Sequence, residues 1–378
     1  MTRYYYDLAR VSVANRFAPR RIPRPLRVLF LSDCLSLWNE RQFSPFYWFR
    51  NALALKLGFV FRLIRMNPMV PPSAAEIRNY DLILLKLFYK TPPEDAEKIA
   101  ASVSANKHPD AKLVYFDGID DLCIHWPNIL DHVDLCVKRH SFKDPSMYLR
   151  RFAGSINLTD YVFKEHGALA LNGEIGTSDP VRPENLGKIF CGMTFGMDDN
   201  IMKLRGEIRS SKAAHERSTD IICRADVPNT WMGYLRRQIA PILNRMAAKG
   251  WSVITPEVRV SQAAYRQEMA RSKICVGPFG YGEVCYRDYE AVIFGCLLVK
   301  PDMGHAQAYP DIFRANETYV PIAWDYSDLE EKLVYYLNRP EEVRRMTRNA
   351  SRVLLEAHTE DWFLSQVEAF LKGAGLSR

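Results

Sequence analysis

The sequence predicts an α/β protein made of two Rossmann-like domains that face each other across a cleft. Three observations predict it. Apolar runs of strand length alternate with helix-compatible stretches from residue 26 to about 140, the pattern of parallel βαβ units. A turn-rich segment, 143–215, interrupts the alternation, which then restarts. The chain has 378 residues, is 48% hydrophobic and 25% charged, and so is long enough for two or three domains that each bury a core.

The elements follow in order. Residues 1–25 form a basic N-terminal arm, with six arginines against the single acid Asp7, suited to lying on an anionic membrane face or to docking loosely as a solvated arm. The first domain, an acceptor domain over 26–200, opens with the strand LRVLFLSD (26–33) and a helix near 45–57. Strands FVFRLIRM (59–66) and DLILLKLFY (81–89) come next. PPEDAEKIAASVSA reads as a helix with prolines at its start. AKLVYFDGIDD (111–121) and VDLCVKRH (133–140) complete the strand set. In the second domain, 201–358, TDIICRAD (219–226) is a strand and WMGYLRRQIAPILNRMAAKG one helix. WSVITPE, ICVGPFG and CLLVKP are strands, with helices at SQAAYRQEMARSK and CYRDYEAVIFG. The tail beyond 358 is a C-terminal helix, 359–378.

The totals narrow the class. The net charge of +7 favours anionic partners but is mild for this length. Basic residues are spread out and no RNA- or DNA-binding motif is present, so a nucleic-acid partner is not expected. The eight cysteines show no C-x-x-C pair, which reads as a reducing compartment. No apolar run approaches the roughly 20 residues of a membrane span, and no signal-peptide segment opens the chain. The expected location is cytoplasmic, with peripheral contact at the inner membrane face through the arm.

Ligands of doubly wound sheets bind outside the carboxyl ends of the strands, so the loops after strands hold the candidate site. The segment CVGPFGYGEVCYRDYEAVIFGCLLVKPDM, 275–303, has a glycine-rich turn between a strand and a helix. Gly280, Tyr281 and Gly282 let a ligand approach the backbone, and the helix N-terminus offers N–H groups to a diphosphate. Arg287 sits in the first turns of that helix, and Glu290 shares its face, placed to accept ribose or sugar hydroxyls. The same residues also fit a plain turn and a surface i,i+3 pair. The segment has neither G-x-G-x-x-G nor G-x-x-x-x-G-K-S/T, which argues against a dinucleotide oxidoreductase and a P-loop ATPase.

The segment resembles the donor-binding motif of GT-B glycosyltransferases, most of all the exostosin-type pattern, through Pro278, Gly280, Gly282, Arg287, Glu290, Ala291, Gly295 and Cys296. Retaining GT-B families place two glutamates eight apart, whereas Glu283 and Glu290 are seven apart. The resemblance implies a C-terminal domain that holds a nucleotide-sugar and an N-terminal domain that holds a glycan or glycolipid acceptor. It implies further that arginines and helix dipoles, with no metal or other cofactor, stabilise the departing diphosphate. Arg224, after the first strand of the second domain, is where the family often places a second phosphate-binding cation. In the first domain the same rule selects Asp33, Asp117 and Asp120, any of which is a candidate for deprotonating the acceptor; Glu283, in the glycine-rich loop of the second domain, is a catalytic candidate placed to contact the sugar itself. Lys138, His140 and His305 are acceptor-side cleft candidates. The implied activity is transfer of a sugar from a nucleotide-sugar to a hydroxyl, as in surface polysaccharide or glycoconjugate synthesis. A nucleotide-sugar epimerase on the same fold and a non-catalytic glycan-binding protein remain alternatives.

Overall fold

The structure is a computed structural model that describes residues 25–33, 41–67, 70–167, 176–210, 217–255 and 259–376. The expected basic arm lies outside the described residues, apart from Pro25.

Six parallel strands form the first sheet: β1 (Leu26–Ser32), β2 (Phe59–Arg65), β3 (Leu82–Lys86), β4 (Lys112–Asp117), β5 (Leu135–Lys138) and β7 (Ile189–Cys191). Their order is β2-β1-β3-β4-β5-β7. β3 and β5 are buried at every position, as strands covered on both faces must be. Helices α1 (Ser44–Trp48), α2 (Arg50–Leu57) and α3 (Pro93–Asn106) flank it. Pro93 opens α3 with Glu94 and Asp95 in the first turn, the charge that favours a helix start.

The second sheet repeats the plan. β8 (Thr219–Ile222), β9 (Val253–Ile254), β10 (Ser272–Val276), β11 (Leu297–Pro301) and β13 (Val320–Ile322) stand in the order β13-β11-β10-β8-β9, all parallel. Read by position, both sheets begin 2-1-3-4-5, so each has a switch point beside its first strand. In the second domain that point lies between β8 and β10.

Two expectations change. The single helix expected over 231–250 is two, α5 (Trp231–Arg237) and α6 (Ile239–Ala248). Pro241 has no N–H to give the carbonyl of Arg237, four residues back, and the helix breaks there. The fifth strand ends at Lys138, and β6 (His140–Phe142) leaves the sheet to pair antiparallel with β12 (Ala306–Ala308) of the second domain.

That ribbon ties the domains together, and a second crossing reinforces it. After α4 (Asn157–His166), α7 (Gln262–Ala270), α8 (Tyr286–Ile293), α9 (Leu329–Leu337) and α10 (Pro340–Ala357), the last helix α11 (Glu360–Gly373) packs on the first sheet. Phe363 stacks on Phe49 at 4.8 Å and meets Phe46 edge-on at 5.6 Å. Among the described residues no helix is long and apolar enough to cross a membrane.

Candidate functional site

The carboxyl ends of both sheets meet at the interface, so the loops singled out by the strand-end rule do converge. The tightest approach is Gly282. A Cβ there would lie 1.6 Å from the Asp120 carbonyl oxygen, so only glycine lets the two loops touch. Around this point Asn157 Nδ2 donates to Glu283 Oε1 at 2.6 Å, His305 Nε2 lies 3.4 Å from the same oxygen, and His140 Nε2 donates to the Asp120 carbonyl.

Glu283 is fully buried and its Oε2 has no hydrogen-bond partner. Burial alone would raise its pKa, but the hydrogen bond and charge of His305 and the amide of Asn157 hold it below the usual carboxylate range. His140 is also fully buried. Burial, then the positive charge of Lys138, push it down to about 4, so it is neutral at pH 7. Asp120 is half-buried and its pKa is raised by burial. Its neighbour Asp121 is pushed up to about 7 by burial.

The other first-domain candidates have structural partners. Asp117 and Lys138 form an ion pair at 3.1 Å with both side chains 0% exposed. The Asp117 carboxylate also accepts from Ile119 N at 3.1 Å and His125 N at 3.0 Å. Despite burial, the charge of Lys138 and the His125 amide hold its pKa low. A carboxylate so enclosed cannot reach an acceptor hydroxyl, which corrects the expectation for Asp117 and for Lys138. Asp33 Oδ2 accepts from Phe88 N at 2.6 Å and Thr91 Oγ1 at 3.4 Å, and the side chain pins the loop after β3.

Two donor-side candidates also have partners within the chain. The α8 N-terminus is capped from within: Cys285 N donates to Asp288 Oδ2 at 2.9 Å, and Asp288 is paired with Lys300 at 3.1 Å, both fully buried. The carboxylate takes the N–H of Cys285 at the helix cap. Arg224 forms a two-pronged pair with Glu268, at 2.9 and 2.8 Å, and donates to the Thr255 carbonyl at 3.2 Å. It braces β8 against α7.

The cation that does join the switch-point loops is Arg236, which strand-and-loop reading missed because it sits inside α5. Its Nε donates to the Phe279 carbonyl at 2.8 Å and its Nη1 to the Asp226 carbonyl at 2.6 Å. Its Nη2 lies 3.5 Å from where a Cβ on Gly280 would stand. Burial, and then the charge of Arg287, hold its pKa below the ordinary arginine value, so two guanidiniums share this corner. Glu290, half-buried with its pKa raised by burial, hydrogen-bonds Tyr265 and feels the charge of Arg287. Tyr281 is 67% exposed at the loop tip. Asn157 was also missed; it lies 126 residues from its partner Glu283, and no local pattern signals such a contact.

A family described as glycosyl transferase-like matches residues 232–369, which spans α5 to α11 and includes Arg236, the glycine-rich loop, Arg287 and Glu290. That segment is a glycosyl transferase-like domain. With the preceding Rossmann-like domain facing it, the chain has the GT-B architecture. No curated protein matches. Among solved structures, a glycosyltransferase from Rickettsia africae ESF-5 is similar at 11% identity and TM-score 0.47, over 93% of this chain and 99% of that one. An alpha-glucosyltransferase in complex with UDP and a 13-mer DNA is similar at 9% identity and TM-score 0.46, over 92% and 99%. The S. aureus MnaA–UDP structure is similar at 8% identity and TM-score 0.41, over 93% and 98%.

Proposed function

We propose that the chain transfers a sugar from a nucleotide-sugar to a hydroxyl acceptor, in polysaccharide or glycoconjugate synthesis on the cytoplasmic side of a membrane. The observation that carries this reading is the switch-point corner of the glycosyl transferase-like domain. A glycine-rich loop there is braced by Arg236, and Arg287 stands beside it. Two close guanidiniums, partly removed from water, favour a dianion such as a diphosphate, which guanidinium groups bind with paired hydrogen bonds. In the reaction they would stabilise the charge that develops on the leaving nucleoside diphosphate, and no metal is invoked for that role. Glu290 is placed to take ribose hydroxyls, and Tyr281 at the loop tip to cover the base.

The test is thermal denaturation with UDP, GDP, CMP, ADP and dTDP, with and without EDTA. A ligand at 100 times its Kd stabilises the fold by about 2.7 kcal/mol. One nucleotide raising Tm equally with EDTA is the expected result. Arg287→Ala should remove most of the shift with little change in Tm without ligand, whereas Arg236→Ala should remove the shift and also lower Tm without ligand, because it leaves the Phe279 and Asp226 carbonyls unpaired. If no nucleotide shifts Tm, or if both variants keep the full shift, the donor site is not here.

A further inference from the structure

We infer that the cavity of about 390 Å³ between α4 and the loop after β11 is a binding site for a neutral sugar ring, and that it supplies the acceptor side of the proposed transfer. Its role as acceptor site rests on the transfer reading; binding of the sugar itself does not. The volume is within the range of small-ligand pockets. Asn157, His305 and Trp324 line it, with residues of both domains contributing to the wall.

Three features choose the ligand chemistry. The first is an unmet demand for hydrogen-bond donors. Asn157 is 8% exposed, and with Nδ2 given to Glu283 its Oδ1 is buried without a partner. Directly behind it Glu283 Oε2 is in the same condition. Buried acceptors left unpaired are rare and call for a donor from outside the chain. Hydroxyl groups are donors; phosphates and carboxylates are not.

The second feature is the absence of net charge demand. Lys164 pairs with Asp160 at 2.6 Å within the wall, Asp302 accepts from Tyr319 at 3.3 Å, and Arg150 lies over the Phe152 ring at 5.6 Å. The third is the aromatic surface. Trp324 is only partly buried, and Tyr161, Phe279 and His305 hold its ring edge-on at 5.0, 5.1 and 5.0 Å. Its Nε1 is anchored on the Asp302 carbonyl at 3.0 Å. A fixed indole with an adjoining hydroxyl-accepting wall suits a pyranose, which offers an apolar C–H face and polar edges.

Saturation-transfer NMR with the full chain tests this, using methyl glycosides of glucose, galactose, mannose and N-acetylglucosamine, with UDP titrated in parallel. At least one glycoside should bind saturably, and Trp324→Ala and Asn157→Ala should each weaken it at least tenfold while leaving the UDP response intact. That retained response, or a native circular dichroism spectrum, shows that the variants fold. If UDP binds and no glycoside does, the sugar site is overturned and the donor site stands. Glycoside binding that both folded variants leave unchanged overturns the placement. Glycoside binding lost in the variants, with no response to UDP in the parent chain, supports the sugar site and sinks the donor reading. No response to either ligand overturns both.

Discussion

At the scale of single residues, the molecule sorts its charges by what surrounds them. Asp117 and Lys138 look like cleft residues by position, yet both are 0% exposed and serve each other. Removing one partner of a buried pair leaves an uncompensated charge, so Lys138→Met should cost about 3–5 kcal/mol in urea denaturation. The double variant Asp117→Asn/Lys138→Met should recover part of that loss. A single-variant cost below about 1 kcal/mol would show that water reaches the pair. His358 gives a pH signature. It is 4% exposed, and its Nε2 donates to the Gly196 carbonyl at 2.7 Å. Burial pushes its pKa down from 6.5 to about 4. The unfolded chain therefore takes up this proton below pH ~6.5 while the fold resists until near 4, so stability falls as pH drops through that window, by up to about 3 kcal/mol. Replacing His358 with Gln keeps a donor and removes the titration. The fall in Tm between pH 7 and 4.5 should then be smaller than in the parent chain; an identical fall would assign the pH dependence to other groups.

At the scale of elements, the strand ends legible in the sequence did meet at one interface, but their geometry was set by neighbours. The loop Gly277–Gly282 was expected to cradle a phosphate together with the N-terminus of α8. Asp288, three residues beyond Cys285, caps that terminus through the Cys285 N–H, and Lys300 from β11 holds it there. The cation beside the loop is Arg236, from a helix some forty residues earlier. Its signal was present, an arginine pair in the first helix after the first strand of the second domain, but which of Arg236 and Arg237 turns inward is decided by helix phase. Arg236 is 6% exposed; Arg237 lies over the Tyr234 ring at 4.6 Å. The contact between Gly282 and Asp120 makes a sharp prediction. Gly282→Ala puts a methyl group into a backbone carbonyl and must push the two loops apart. A lower Tm and a larger radius of gyration by small-angle scattering are expected; unchanged values for both would mean that the loops do not touch in solution.

At the scale of the whole molecule, two tandem domains are knitted into one body. One apolar cluster runs from Leu29 and Ile83 of the first sheet to Ile222, Phe279 and Tyr289 of the second domain. The β6–β12 ribbon crosses between them, and α11 returns from the end of the chain to cover the first sheet. With so much shared burial, opening one domain exposes the core of the other. Calorimetry should therefore record a single cooperative transition, with calorimetric and van't Hoff enthalpies equal. Two resolved transitions would show that ribbon and helix contribute little coupling.

The sequence by itself determined the α/β class, the two parallel sheets, and the segment from 275 to 303 as the place to look for a ligand. These rest on local periodicity and on glycine and proline, which act over a few residues. Tertiary structure alone decided which charges are structural, that Arg236 and not Arg224 braces the glycine-rich loop, and that Asn157 and Trp324 join His305 around a cavity. Such facts depend on burial and on partners distant along the chain. A carboxylate after a strand is written the same way whether a lysine from the next strand neutralises it, as at Asp117, or the opposite domain encloses it, as at Glu283.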